Sequence, residues 1–119
     1  GFAFQLIDDY LDYAGDPDSL GKNLGDDLAD GKCTLPLIVA LTEVSSADQR
    51  IIQEAIQFGD RDKFQSVAAI VSQSTGLNYT RERAVESASR AKAALQGLPE
   101  STFKSGLIGL ADLAVSRVN

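Results

Sequence analysis

The stretch FQLIDDYLDYAGD, residues 4–16, decides how this chain is read. It sets three aspartates, Asp8, Asp9 and Asp12, within five residues of a run that otherwise has the pattern of a buried helix. At about 100° per residue, Gln5, Asp8, Asp9 and Asp12 fall within one arc of about 100°. Phe4, Leu6, Ile7, Tyr10, Leu11, Tyr13 and Ala14 cover most of the remaining circumference. An ordinary surface helix has the wider polar face. This one is predicted to be mostly buried, with one narrow carboxylate stripe.

The stripe is poorly placed for a chain acting alone. Asp8 and Asp12 are an i,i+4 like-charge pair, which costs about 0.2–0.5 kcal/mol. Gly15 is a natural C-terminal stop, so the acids lie in the last two turns. There the helix dipole disfavours each anion by roughly 0.3–1 kcal/mol. No lysine or arginine precedes Lys22. The expected partner is a cation from outside the chain, and clustered oxygen ligands suit magnesium, which keeps waters and shares its shell with phosphate. An acidic helix stripe is more often a solvated face. The residues downstream of Gly15 give this one its weight.

The bulk composition narrows the classes. At 119 residues and 44% hydrophobic content, the chain supports one modest core. Seventeen acidic residues against 11 basic give a net charge of −6, which argues against nucleic-acid binding through a basic patch. No apolar run approaches the ~20 residues of a membrane span. The single cysteine, Cys33, allows neither an internal disulfide nor a thiolate zinc cluster. With no histidine, a His-based triad cannot be built from these residues. A reduced, cytoplasmic setting is expected. The chain opens inside a helical pattern without a capping residue, and it is expected to be part of a longer protein.

Downstream of Gly15, residues 16–34 read DPDSLGKNLGDDLADGKCT, a loop rich in Gly, Asp and Lys, with Pro17 blocking the helix. A loop this long in a compact domain is usually functional or disordered. A helix is then predicted over TLPLIVALTEV, with Thr34 as its cap and Pro36 in its first turn. The next, SADQRIIQEAIQF, turns Ile51, Ile52, Ala55 and Ile56 inward and ends at Gly59. Another, DKFQSVAAIVSQST, uses Phe64, Val67, Ala68 and Val71 and stops at Gly76. A longer one spans LNYTRERAVESASRAKAALQG, with Ala84, Ala88, Ala91 and Leu95 as its apolar positions. The last, STFKSGLIGLADLAVSRV, is predicted to bury Phe103, Leu107, Leu110, Ala111, Ala114 and Val115. No segment alternates as a strand. The prediction is an all-α helical array, one region over residues 1–119.

Three familiar sites are excluded by spacing. An EF-hand loop needs alternating acids, but Asp12 and Asp16 are misplaced and Pro17 occupies the next position. A P-loop needs four residues between its Gly and its Gly-Lys, whereas Gly15 and Gly21 are separated by five, and Asn23 stands where Ser or Thr belongs. Glycosidase carboxylates face each other across a cleft rather than sharing a helical turn. There remain a carboxylate stripe, a polar loop and two loop lysines, Lys22 and Lys32, which on their own read as surface charge. A diphosphate reconciles the two signs, because metal ions bridge its oxygens to the aspartates while lysines contact it directly.

The run from GFAFQLIDDYLDYAGD through LGKNLGDDLADGKCTLPLI resembles the second aspartate-rich region of the trans-isoprenyl diphosphate synthases. That pattern is approximately GxxFQxxDDxxD followed by GKxxGxDLxxGKxTxP. It is matched by Phe4, Gln5, Asp8, Asp9, Asp12, Gly21, Lys22, Gly25, Asp27, Leu28, Gly31, Lys32, Thr34 and Pro36. Asp30 stands where many members have Glu. The helices beyond it are similar to the C-terminal part of the long-chain bacterial members that make quinone side chains. The family's first aspartate-rich motif is not in these residues, so the resemblance is to the C-terminal portion of an isoprenoid-synthase-type bundle.

The resemblance implies head-to-tail condensation of isopentenyl diphosphate with an allylic diphosphate, with magnesium as cofactor. It implies metal ligation by Asp8, Asp9 and Asp12. It implies contact with the allylic diphosphate by Lys22, Lys32 and Gln5, and a place for Phe4 near the reacting alkene. Asp8, Asp12 and Lys22 are the residues expected to be catalytic. A homodimer is implied for the full-length protein, and no prenyl transfer is expected from these residues alone. A non-catalytic regulatory subunit is the alternative, and the intact Asp8, Asp9 and Asp12 speak against it.

Overall fold

The computed structural model describes residues 1–14, 26–59 and 61–118. Among them the chain forms seven α-helices and no strand. They are α1 (Phe2–Ala14), α2 (Asp26–Ala29), α3 (Leu35–Glu43), α4 (Ser46–Phe58), α5 (Phe64–Gln73), α6 (Gly76–Leu95) and α7 (Thr102–Ser116), with a 3₁₀ turn, Arg61–Lys63, leading into α5. The expected all-α architecture is the one observed. The stop at Gly15 and the break at Pro17 lie outside the described residues.

Helix boundaries follow local chemistry in most places. Ser45 Oγ accepts from the Asp48 amide (3.3 Å) at the start of α4, and Ser101 Oγ accepts from the Lys104 amide (3.0 Å) at the start of α7. Three expectations need correction. Thr34 occupies the N-cap position of α3 in extended geometry, but its side chain makes no capping bond and its buried hydroxyl has no hydrogen-bond partner among the described residues. Gly76 begins α6 rather than ending α5. Ser74 supplies the break, donating to the Val71 carbonyl (2.7 Å) and accepting from the Gly76 amide (3.0 Å). The expected loop 16–34 also contains a helix, α2, whose Asp26 and Asp27 suit its N-terminal dipole and whose Leu28 is buried.

The core has two parts. One gathers Tyr13, Leu28, Leu37, Ile52, Val67 and Val71 among α1 to α5, with Phe64 and Ile56 packed against it. The other gathers Leu6, Ile7 and Leu11 of α1 with Ala84 of α6 and Ala114 of α7. The long helix α6 is the spine, packed against α1, α3 and α7. The radius of gyration is 16.3 Å, above the about 13.5 Å of a compact domain this long.

Several side chains expected inside are not. Ile51 sits on the flank of α4 and is exposed, while Ile52 and Ala55 are fully buried. Ala91 is exposed, and so are Phe103 (74%) and Leu110 (50%). The cause is the same for α7 throughout. It packs against α6 and α1, and among the described residues Phe103, Leu110 and Leu113 are left largely uncovered.

Candidate functional site

The carboxylates of α1 do not share one environment. Asp8 is exposed and makes no hydrogen bond or ion pair with any described residue, while Asp9 and Asp12 are buried. Gln5 Nε2 donates to Asp9 Oδ1 at 3.1 Å, so the glutamine orients the middle carboxylate from one turn back. Phe4 is half-buried and lines an apolar groove of about 460 Å³ with Ala91, Leu95, Leu107 and Leu110. Asp8 is one turn further along the same face as Phe4. Among the described residues, no three acidic or sulfur-bearing side chains converge closely enough to enclose an ion. The donor set nonetheless fits a hard cation held from one side: all its atoms are carboxylate oxygens, and Asp8 is open to solvent.

The second element is the turn after α2, and its geometry comes directly from sequence. The Gly31 amide donates to the Leu28 carbonyl (2.9 Å), and the Lys32 amide donates to the Asp27 carbonyl (2.8 Å). These two bonds are the Schellman closure of a helix, which needs a left-handed residue at its turn. Gly31 supplies it, with φ of 76°. The closure folds Lys32 back over the start of α2, so that its Nζ lies 3.8 Å from Asp27 Oδ1. The spacing DLADGK thus makes a lysine–aspartate pair by backbone geometry. The five-residue offset from Asp27 to Lys32 is the sequence signal that pairs them.

The two elements meet around Tyr13. Its ring stacks on Phe64 with centroids 5.7 Å apart, and its buried hydroxyl has no hydrogen-bond partner among the described residues. Burial pushes its phenol far above the usual range, and the nearby charges of Asp12, Cys33, Asp27 and Asp9 add to this in that order. Tyr13 and Leu28 of α2 also belong to one buried cluster, so the end of α1 is packed against α2. The end of α1 and the α2 turn form one acidic corner, with Lys32 on its rim. Cys33 is exposed, and partial burial raises its thiol pKa. Lys22 lies outside the described residues.

An all-α array with a carboxylate helix at one corner and a lysine-bearing turn beside it matches known proteins in both sequence and shape. The polyprenyl synthetase family model matches residues 1–74, and the chain belongs to that family. It is 47% identical over 118 residues to the all-trans-nonaprenyl-diphosphate synthase (geranyl-diphosphate specific) of Rhodobacter capsulatus, covering 99% of this chain and 36% of that protein. It is 48% identical over 118 residues to the octaprenyl diphosphate synthase of Haemophilus influenzae, covering 98% of this chain and 36% of the relative. Among solved structures, the polyprenyl synthase of Caulobacter crescentus, complexed with calcium and isoprenyl diphosphate, superposes with a TM-score of 0.86 at 39% identity. That match covers 100% of this chain and 37% of the other. The chain spans about a third of the length of the curated relatives it matches. No described helix is long and apolar enough to cross a membrane.

Proposed function

We propose that this chain is one metal- and diphosphate-binding face of a trans-prenyltransferase. In this reading the full-length protein condenses isopentenyl diphosphate with an allylic diphosphate, head to tail. Its product is a long-chain trans-polyprenyl diphosphate for quinone side chains, made in the cytoplasm by a homodimer. One observation carries the reading: Tyr13, at the end of the carboxylate helix, shares a buried cluster with Leu28, next to Asp27 in the turn where Asp27 pairs with Lys32. The names of the relatives support the substrate class.

Each residue has a role in this scheme. Asp8, Asp9 and Asp12 would hold magnesium, with Asp8 the direct ligand because it is the open carboxylate. The bound ion supplies Lewis-acid charge to the diphosphate oxygens. Gln5 keeps Asp9 in register, or turns toward the diphosphate when substrate is present. Lys22 and Lys32 face the diphosphate. As the allylic C–O bond breaks, its electron pair leaves with the diphosphate, and the two ammonium groups meet the growing negative charge. The double bond of isopentenyl diphosphate then adds to the allylic cation, and loss of a proton restores an alkene. Phe4, one turn from Asp8 on an apolar groove, would stand beside the hydrocarbon. These residues hold the substrate from one side only, so the isolated chain should show no prenyl transfer.

The test is Lys32→Ala in the full-length enzyme. Lys32 is well exposed, at 63%, and its pair with Asp27 therefore contributes little stability, about 0–1 kcal/mol. A contact that strengthens toward the transition state predicts a single-turnover rate lowered about tenfold or more, with a smaller loss of allylic diphosphate affinity. Lys32→Arg keeps the charge with altered geometry and should retain part of the rate. Unchanged rate and affinity in a folded Lys32→Ala enzyme would remove Lys32 from the site.

A further inference from the structure

The turn that carries Asp27 and Lys32 is held in place from outside the site, and it is held by backbone. Ala29 is the last residue of α2, and its carbonyl lies against Gly59, the left-handed residue (φ 59°) that closes α4. A Cβ on Gly59 would stand 2.6 Å from the Ala29 oxygen, a separation that real Cβ atoms essentially never show. One turn back along α4, the Ile56 carbonyl oxygen lies 3.7 Å from the Cβ position of Gly31. The end of α4 is thus fitted against both the last residue of α2 and the glycine of its closure. At the other end of the same segment, a Cβ on Gly76 would lie 2.3 Å from the Pro36 carbonyl oxygen. Residues 29–36 are pinned at both ends by glycines that belong to other helices.

We propose that Gly59 is a positioning residue for the Asp27–Lys32 turn. Its missing side chain sets the separation of α4 from α2, and hence where the Asp27 carboxylate and Lys32 ammonium stand relative to α1. The mechanism is steric. Any β-carbon must displace the Ala29 carbonyl, which is backbone and has no rotamer to yield. The Leu28–Gly31 and Asp27–Lys32 hydrogen bonds make the turn a single unit, so a push on Ala29 is passed to Lys32 and Cys33. Leu28, between Asp27 and Ala29, is buried and ties the turn to the core. The geometric part of this inference stands alone; its effect on catalysis rests on the diphosphate-binding role proposed for Lys32.

Cys33 provides the direct probe, being exposed, next to Lys32 and the only cysteine. The experiment compares alkylation of Cys33 by iodoacetamide in the unmodified chain, Gly59→Ala, Gly59→Asn and Gly97→Ala, with far-ultraviolet circular dichroism as the check on folding. Asn accepts a left-handed backbone far better than Ala, yet carries the same Cβ, so it separates backbone strain from the steric contact. Both Gly59 variants should change the alkylation rate by about threefold or more, since thiol reactivity follows local access and environment. Gly97→Ala should not, because the nearest heavy atom to its Cβ is 3.9 Å away.

In the full-length synthetase, both Gly59 variants should raise KM for the allylic diphosphate about tenfold while changing KM for isopentenyl diphosphate less than about twofold. Unchanged alkylation in folded Gly59 variants overturns the proposal, as does a normal rate in Gly59→Asn beside a shifted one in Gly59→Ala. Global unfolding of both variants overturns it too, because Gly59 would then serve the whole fold rather than the turn. Shifted alkylation with an unchanged allylic KM upholds the positioning role and rejects the diphosphate role of Lys32.

Discussion

The two ends of this molecule are built differently from similar helices. Around α3, α4 and α5 the core is closed by branched residues: Leu37, Ile52, Val67 and Val71 are all fully buried. Around α1, α6 and α7, Leu6, Ile7 and Leu11 of α1 are buried, but the core residues that α6 and α7 set against them are small, Ala84, Ala88 and Ala114, while Phe2, Phe103, Leu110 and Leu113 stand exposed. Small residues let helices approach closely but bury little area each. Large apolar residues left outside, several on one helix face, mark a surface that ordinarily meets a partner. One end is closed within these residues, and the other is a half-finished layer. That agrees with a chain covering 37% of the solved relative it superposes on.

Truncating one side chain at each end is the strongest challenge to that contrast. Ile52→Ala in the closed end should cost about 2–5 kcal/mol in denaturant unfolding, as a cavity forms in a packed interior. Leu110→Ala on the open face should cost under about 1 kcal/mol, because its side chain is half in water already. Equal losses would mean that the open face is packed after all.

Tyr13→Phe probes the corner between the two ends. Removing a buried hydroxyl that has no partner among the described residues should gain about 1 kcal/mol or be neutral, measured by chemical denaturation near pH 7. The sign of its pH dependence is fixed. Its folded pKa is raised above the usual 10.0, so the stability it contributes is complete below about pH 10 and is lost as pH climbs through the alkaline range. Tyr13→Phe should abolish that part of the alkaline loss, and an unchanged alkaline profile would reject the assignment. A clear loss of stability near pH 7 would show that the hydroxyl is bonded.

Smaller effects test the open face itself. Gly106 lies in the interior of α7 with nothing within 4 Å of its Cβ position. Gly106→Ala should therefore raise stability by about 0.5–1 kcal/mol through the unfolded chain and helix propensity. Leu113→Lys, on the same helix, should alter stability by no more than about 0.5 kcal/mol while improving solubility. A large destabilisation from Leu113→Lys would show that this face is already covered.

Much of this was legible in the residues. The span SADQRIIQEAIQF expected for α4 is the one observed, Ser46–Phe58, with Gly59 closing it. The carboxylate arc of α1 is also visible as spacing. Spacing cannot convey which of three neighbouring acids faces solvent, since that depends on the helices around α1. Asp8 came out open and Asp12 fully buried for that reason. Sequence alone cannot show that Phe103 and Leu110 face outward, because an apolar face looks the same whether its partner is present or not. Thr34 failed as a cap because α3 buried its hydroxyl without turning it onto an amide. The lysine–aspartate pairing in the α2 turn was readable in principle, from a glycine set between Asp27 and Lys32 at the closure position.

If the α1 carboxylates take a metal ion that serves diphosphate departure, Asp8 is where that role is most open to test. Asp8→Asn removes the charge with almost no change in volume, at a solvent-facing position where the fold should be indifferent. In the full-length enzyme at saturating magnesium, turnover should fall by at least about a hundredfold, equivalent to roughly 2.7 kcal/mol, with the melting temperature held or slightly raised. Near-normal turnover in that variant would contradict a metal role for the stripe.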